Sequence, residues 1–365
     1  MGSRLINILK QGTWRIVCFL SIMACSQQKT DNNMKWISKF DFFDLYKVRV
    51  NGGYFNPGSA IRLEKIAIPN ENTILLAGAK DENSFDENKK SDVAVLFASN
   101  DKGKTYKEIL LNDVSFLYME AKGDYTMIKS YTLNKDAIKV QKLQLLNNKT
   151  FELIKVEEYL DKDISYNRFD GKYIIKKNKL GSKLINLFDK KEEYDVPEQL
   201  LSKKVLYNKG DGKFIYLINQ TIEEYDIKTN TKNVIKNLKR VYNYFWFDGN
   251  DYSFGIDDKV EADGSFSTSV YNANEEKLCD LTNENLDFYR YKNFMCDYSN
   301  IGPKPEIRYS YDYGKTWTTH HVQGFTILQN LFGFYKDQFL VTEGIFWHFD
   351  SPESGGRIMV GEFEK

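Results

Sequence analysis

Residues 99–106 read Ser-Asn-Asp-Lys-Gly-Lys-Thr-Tyr, and residues 310–317 read Ser-Tyr-Asp-Tyr-Gly-Lys-Thr-Trp. Both fit S-x-D-x-G-x-T-aromatic, opened by Ser99 and Ser310, with Lys before the Thr. The pattern is one of turn chemistry. Asp101 and Asp312 can accept hydrogen bonds from backbone N–H groups a little further along and so close a turn. Gly103 and Gly314 permit the positive φ that a tight corner needs. Thr105 and Thr316 restart a strand, and Tyr106 and Trp317 supply an aromatic plug beneath it. The flanks agree: Val93, Val95 and Phe97 alternate before the first stretch, and Ile307 and Tyr309 precede the second. Each octapeptide is therefore expected at a β-hairpin corner, with its Asp in a structural role.

Working outward, the two stretches lie 211 residues apart, from 99 to 310. Division by five gives about 42 residues, the size of a four-stranded propeller blade. Asp170-Gly171-Lys172-Tyr173, Asp211-Gly212-Lys213-Phe214 and Asp248-Gly249-Asn250-Asp251 recur at steps of 41 and 37 residues and read as inner-strand phrases. The octapeptides resemble the Asp-box (BNR) repeat of sialidases and other β-propellers. That resemblance implies a position at the blade periphery, away from the usual active face.

The expected fold is all-β, a β-propeller of seven blades with six as the runner-up, over residues 38–365. The blades fall near 58–112, 113–160, 161–200, 201–240, 241–284, 285–323 and 324–365, and a strand at Lys47–Val50 is expected to complete the last. Such closure removes free sheet edges. Composition fits many short strands: 24 Tyr, 25 Phe, 23 Gly, six Pro and 15% aromatic residues, with no sustained helical period.

The beginning of the chain reads as a targeting segment, residues 1–24. Arg4, Lys10 and Arg15 precede a short apolar run, Ile16 to Ala24, which is too short to span a bilayer. Ile22-Met23-Ala24-Cys25 looks like a bacterial lipobox, which implies lipidation at Cys25. An ordinary signal peptide, or an anchor with a chance Cys, is the alternative. Residues 25–37 then form a flexible tether. Ser26 follows the Cys in place of an Asp, so the lipoprotein analogy implies the outer membrane of the cell envelope, facing either the periplasm or the surface. Residues 1–25 carry three basic and no acidic residues, which leaves 48 basic against 51 acidic in the remainder, a net charge near −3. No basic stripe appears, which argues against nucleic-acid binding, and the lipid is the only expected membrane attachment.

Cys279 and Cys296 are an even pair in an exported chain, and a disulfide between them is the expectation, with two buried thiols as the alternative. Only three His are present and there is no CxxC, so neither a metal nor a cofactor is expected. The loop Asp81 to Asp92 is densely charged and reads as solvated.

The order Arg62-Leu63-Glu64, then Leu75-Leu76-Ala77, then the first box resembles the start of a sialidase over about 50 residues. Glu64 stands where that family has Pro, and Lys80 near where it has Arg. Asp86 and Asp92 are the loop carboxylates that could stand in for its acid/base Asp, and neither aligns securely with it. Such chemistry needs three arginines on the substrate carboxylate, with a Glu-activated Tyr nucleophile and an acid/base Asp. The second and third arginine motifs cannot be placed. Arg62 is kept as a candidate ligand contact, with Trp347 and His348 in an aromatic stretch beside a Gly/Ser/Pro loop. The leading expectation is a lipid-anchored, non-catalytic binding protein whose partner is a protein, of immunity, inhibitor or assembly type. A glycan ligand, or a sialidase-like glycoside hydrolase, is the alternative, so enzymatic activity is left open and leans to no.

Overall fold

The computed structural model describes residues 34–41, 61–81, 93–111, 113–159, 164–189, 191–202, 206–249, 251–260, 266–282, 288–299, 306–321, 326–345 and 357–364. Among them are seven four-stranded antiparallel sheets and one short helix, Glu198–Leu201. The molecule is a seven-bladed β-propeller. Blades one to six each use four consecutive strands, over residues 61–110, 115–159, 165–195, 206–237, 244–282 and 288–321. Blade seven takes Thr326–Tyr335, Phe339–Ile345 and Arg357–Glu362, and its fourth strand comes from the other end of the sequence, Lys35–Asp41.

The closing strand corrects two expectations. It is Lys35–Asp41 and not Lys47–Val50, which lies outside the described residues, and it begins inside the stretch assigned to the tether. The reason is packing. Phe40 and Ile37 join the apolar cluster between blades seven and one, while Met34 and Trp36 join the cluster between blades six and seven. One strand thus fills the outer part of two seams.

The core is divided among the seams between neighbouring blades. In blade one the third strand, Val93–Ser99, is buried from Ala94 onward. Val95 and Phe97 point into the seam with blade seven, and Ala94, Leu96 and Ala98 into the seam with blade two. Successive side chains leave a strand on opposite faces, so a sheet covered on both faces reads as a continuous apolar run. The second strand, Ile74–Lys80, behaves likewise: Ile74 and Leu76 face one seam, Leu75 and Ala77 the other.

The Asp-Gly phrases occupy the turns from first to second strand and are not strand phrases. Asp170 Oδ1 accepts from Lys172 N and Tyr173 N of its own turn at 2.9 and 2.6 Å, while Oδ2 accepts from Gly212 N of the next blade at 3.3 Å. Asp248 repeats the arrangement, with Asp251 N at 2.8 Å and Lys292 N of blade six at 2.7 Å. One carboxylate therefore closes a turn and ties two blades together.

Both octapeptides connect third and fourth strands, in blades one and six, and their hydrogen bonds match almost atom for atom. Ser99 Oγ and Ser310 Oγ each donate to the Asp Oδ1 at 2.8 Å and accept from the Gly N at 2.8 Å. The Asp Oδ1 accepts from Thr105 N at 3.0 Å and Thr316 N at 2.8 Å, and Oδ2 accepts from the Thr hydroxyls at 2.6 and 2.7 Å. Lys102 N and Tyr313 N, both at positive φ, donate to Asn72 O and Asn293 O, each at 3.0 Å. Glycine is required next. A Cβ on Gly103 would lie 2.9 Å from Val360 of blade seven, and one on Gly314 2.8 Å from Cys279 Sγ of blade five. Each corner is pressed against the preceding blade.

Cys279 and Cys296 remain thiols. Cys296 points into the seam between blades six and seven, whereas Cys279 packs with Met295 and Trp317 in the seam between five and six. They lie on opposite faces of the blade-six sheet, so the expected disulfide is not formed.

Phe40 is buried with its ring centre 4.7 Å from that of Tyr106 of the first octapeptide, the two rings tilted by 56°, and Ser38 Oγ donates to Lys102 O at 3.1 Å. Phe40→Ala is expected to lower unfolding stability by about 3–5 kcal/mol in urea titrations; a loss below about 1 kcal/mol would contradict this closure. Burial alone would raise the carboxyl pKa values of Asp101 and Asp312, but the Thr and Ser hydrogen bonds outweigh it and hold both below the ordinary aspartate value. Their contribution is complete above the unfolded-state pKa and is lost as pH falls through the lowered folded one. Asp312→Ala should cost about 1–3 kcal/mol at neutral pH, with the deficit shrinking in acid; a deficit that grows in acid would refute the assignment.

Candidate functional site on the inner wall

The first strands of neighbouring blades bond to one another, as strands nearest a common axis must. Arg168 Nη1, at the end of the first strand of blade three, donates to Leu206 O in that of blade four at 2.8 Å. Asn208 Nδ2 returns a bond to Arg168 O at 2.9 Å, and Tyr207 OH donates to Phe245 O of blade five at 2.8 Å. These strands form the inner wall.

The wall is irregular. The register of Ile61–Ala67 shifts between Leu63 and Lys65, that of Ser115–Lys122 between Phe116 and Tyr118, and that of Leu206–Gly210 between Asn208 and Gly210. Each shift leaves one extra residue: Glu64, Leu117 and Lys209. Such bulges re-aim side chains and end regular pairing. In blade two the result is an apolar residue and an aromatic side by side in the open, Leu117 at 39% and Tyr118 at 37% exposure.

Around Tyr118 lies a compact polar group. Its hydroxyl donates to Glu120 Oε2 at 3.2 Å, and Phe169 N of blade three donates to the same oxygen at 3.2 Å. Lys129 Nζ sits 4.8 Å from the centre of the Tyr118 ring and donates to Tyr166 O at 2.8 Å. Arg168 is exposed, in a left-handed backbone conformation at φ 59°, close enough for its charge to act on Tyr118, Glu120 and Tyr207. Burial raises the Glu120 carboxyl above its usual value, against the opposing Phe169, Tyr118 and Arg168 contributions. Burial and the Glu120 charge push the Tyr118 hydroxyl up to about 12, so it is a phenol at neutral pH. Burial lowers the Lys129 ammonium. The cluster offers one guanidinium, one ammonium and an aromatic face to an anionic or hydroxyl-rich ligand.

The sequence candidates fall elsewhere. Arg62 is on the first strand of blade one, exposed, with its guanidinium 3.3 Å from Glu64 of the same strand. Arg290 is buried and bonds Asp251 at 3.3 Å and Lys292 O at 3.2 Å. Arg308 lies 5.7 Å from the Trp317 ring, and Arg240 5.0 Å from that of Tyr271. Lys80 is consumed by Glu108 at 2.8 Å. Arg49, Cys25, Trp347, His348, Asp86 and Asp92 lie outside the described residues. Tyr118, Glu120 and Arg168 carried no signal in the sequence, because a bulge in Phe-Leu-Tyr-Met-Glu is a matter of register.

No protein-family model matches this chain, and no curated protein matches it. Among solved structures it is similar to the β-propeller domain of the trilobed protease from Pyrococcus furiosus, at TM-score 0.51 and 11% identity over 84% of this chain and 95% of that one. It is also similar to an uncharacterized protein from Listeria monocytogenes EGD-e, at TM-score 0.51 and 10% identity over 82% and 95%. Likeness at this level establishes the propeller fold.

The electrostatics of the wall can be read directly. Carbon-detected NMR titration should place Glu120 above the ordinary glutamate midpoint. Arg168→Ala should raise it further, because a stabilising cation is removed. An unchanged or lowered midpoint in the variant would show that Arg168 does not face Glu120.

Proposed function

We propose that this protein is a non-catalytic binding propeller, anchored at a bacterial cell envelope through lipid on Cys25, whose inner wall in blades two to four receives a protein partner. The observation that carries the reading is the exposed Leu117–Tyr118 pair beside Arg168. Interfaces draw much of their energy from aromatic anchors and arginines; the blade-two bulge presents Leu117 and Tyr118 on a sheet, and Arg168 stands beside them at the end of the first strand of blade three. The matched hydrogen bonding of residues 99–106 and 310–317 supports treating them as Asp-box repeats in a structural role. Arginines of the kind a sialidase aims at one carboxylate are here engaged separately, Arg62 with Glu64 and Arg290 with Asp251.

Two measurements test this. Metabolic fatty-acid labelling should depend on Cys25 and vanish in Cys25→Ala; persistent labelling would remove the anchor from the account. Cross-linking in the native envelope should give one partner adduct for the wild type that is lost in Leu117→Asp and Tyr118→Ala. An adduct that survives both changes would move the interface elsewhere.

One observation favours a glycan-directed second reading: Tyr118, Glu120 and Arg168 place a Tyr/Glu pair beside a guanidinium. Hydrolysis of a fluorogenic sialoside by residues 26–365, abolished by Tyr118→Phe, would establish it over the first. The separate engagement of Arg62 by Glu64 and Arg290 by Asp251 leads us to expect no turnover.

A further inference from the structure

The first strand of blade two, Ser115–Lys122, is eight residues long, whereas that of blade three, Ser165–Asn167, has three. The Glu120–Lys122 end of the longer strand lies against the turn that follows the shorter one. Glu120 Oε2 accepts from Phe169 N at 3.2 Å. A Cβ on Gly171, at φ 102°, would lie 3.1 Å from Lys122 O, so the turn sits directly on the strand end.

This docking gathers cations around one carboxyl group. Lys122 is exposed and its side chain forms no ion pair among the described residues. Arg168 spends Nη1 on Leu206 O at 2.8 Å, and its guanidinium likewise forms no ion pair among them. Both charges act on Glu120, as Glu120 acts on Lys129. Three cations thus face one half-buried carboxyl group. The neighbouring acids are engaged elsewhere: Asp124 with Lys149 at 3.0 Å, and Asp170 with the N–H groups of Lys172, Tyr173 and Gly212. Asp161 and Asp163 lie outside the described residues; they precede the first strand of blade three, whereas Arg168 follows it.

The exposed Leu117–Tyr118 pair stands on the same strand as Lys122. Leu117 and Lys122 are five residues apart, about 15 Å along a strand. An apolar contact and a cationic contact are therefore held at a fixed spacing on one wall.

On the reading that the inner wall is the interface, we propose that what enters it is an extended acidic segment of the partner protein. An aspartate or glutamate of the segment binds Arg168 and Lys122, and an apolar side chain packs on Leu117 and Tyr118. A guanidinium matches a planar carboxylate in shape as well as charge. About five residues of extended chain bridge the two contacts. A phosphate group would set close to two negative charges beside Glu120, which favours the singly charged carboxylate.

The test uses residues 26–365, which carry every described strand, and random twelve-residue peptides displayed on phage, the selected ones then being synthesised with a fluorescent label. Selected peptides should carry Asp or Glu within about five residues of a large apolar residue, and added salt should weaken their binding. Lys122→Gln with Arg168→Gln should weaken it roughly 10-fold. Lys122→Glu alone, at a side chain with no bond to lose, should weaken it in the same direction, and unchanged circular-dichroism melts confirm folding. Peptides that lose binding in Tyr118→Ala but not in the charge variants would overturn the acidic assignment and leave the wall as the interface. Peptides indifferent to Leu117→Asp and Tyr118→Ala as well would remove the wall itself. Failure to select any peptide would overturn the extended segment, leaving the wall to a folded partner.

Discussion

The propeller depends on the pairing of Lys35–Asp41 with Arg357–Glu362. A ring of sheets packed face to face has no interior of its own, since every apolar cluster lies in a seam and each seam needs two complete blades. If the closing strand leaves, blade seven loses its fourth strand, and the clusters on both sides of it lose Phe40, Met34 and their neighbours. The octapeptide corner of blade one is built into this joint. Its Lys102 carbonyl accepts from Ser38, and its Tyr106 ring meets Phe40. A turn motif in one blade thus stabilises the closure of another.

Much of this architecture was legible in the amino-acid order. The corner chemistry of Asp101 and Asp312, the blade spacing and the seven-fold count follow from local rules of turns and strands, which act over a few residues. Failures occurred where long-range packing decides. The choice of Lys35–Asp41 over Lys47–Val50 rests on which strand can fill two seams at once. The separation of Cys279 from Cys296 follows from pleat parity: Met295 and Cys296 are adjacent and therefore face opposite seams. Neither property is visible without the partner sheet.

The candidate site was less legible for a related reason. Tyr118 and Arg168 belong to different blades and meet only because the first strands converge near the axis. The bulge at Leu117 turns an alternating strand into one that shows two consecutive side chains. Arg62, singled out by its place in a resemblance, has its charge answered by Glu64, two residues along the same strand. The wall thus exposes Leu117 and Tyr118 in blade two, while the arginine of blade one is paired locally.

The claim that closure by the N-terminal strand holds the ring together is tested most directly by native-state hydrogen exchange. The account predicts that amides of residues 35–41 that bond to residues 357–362 exchange only with global unfolding, in step with the inner strands of blade seven. Fast exchange across residues 35–41, with residues 339–345 still protected, would contradict it.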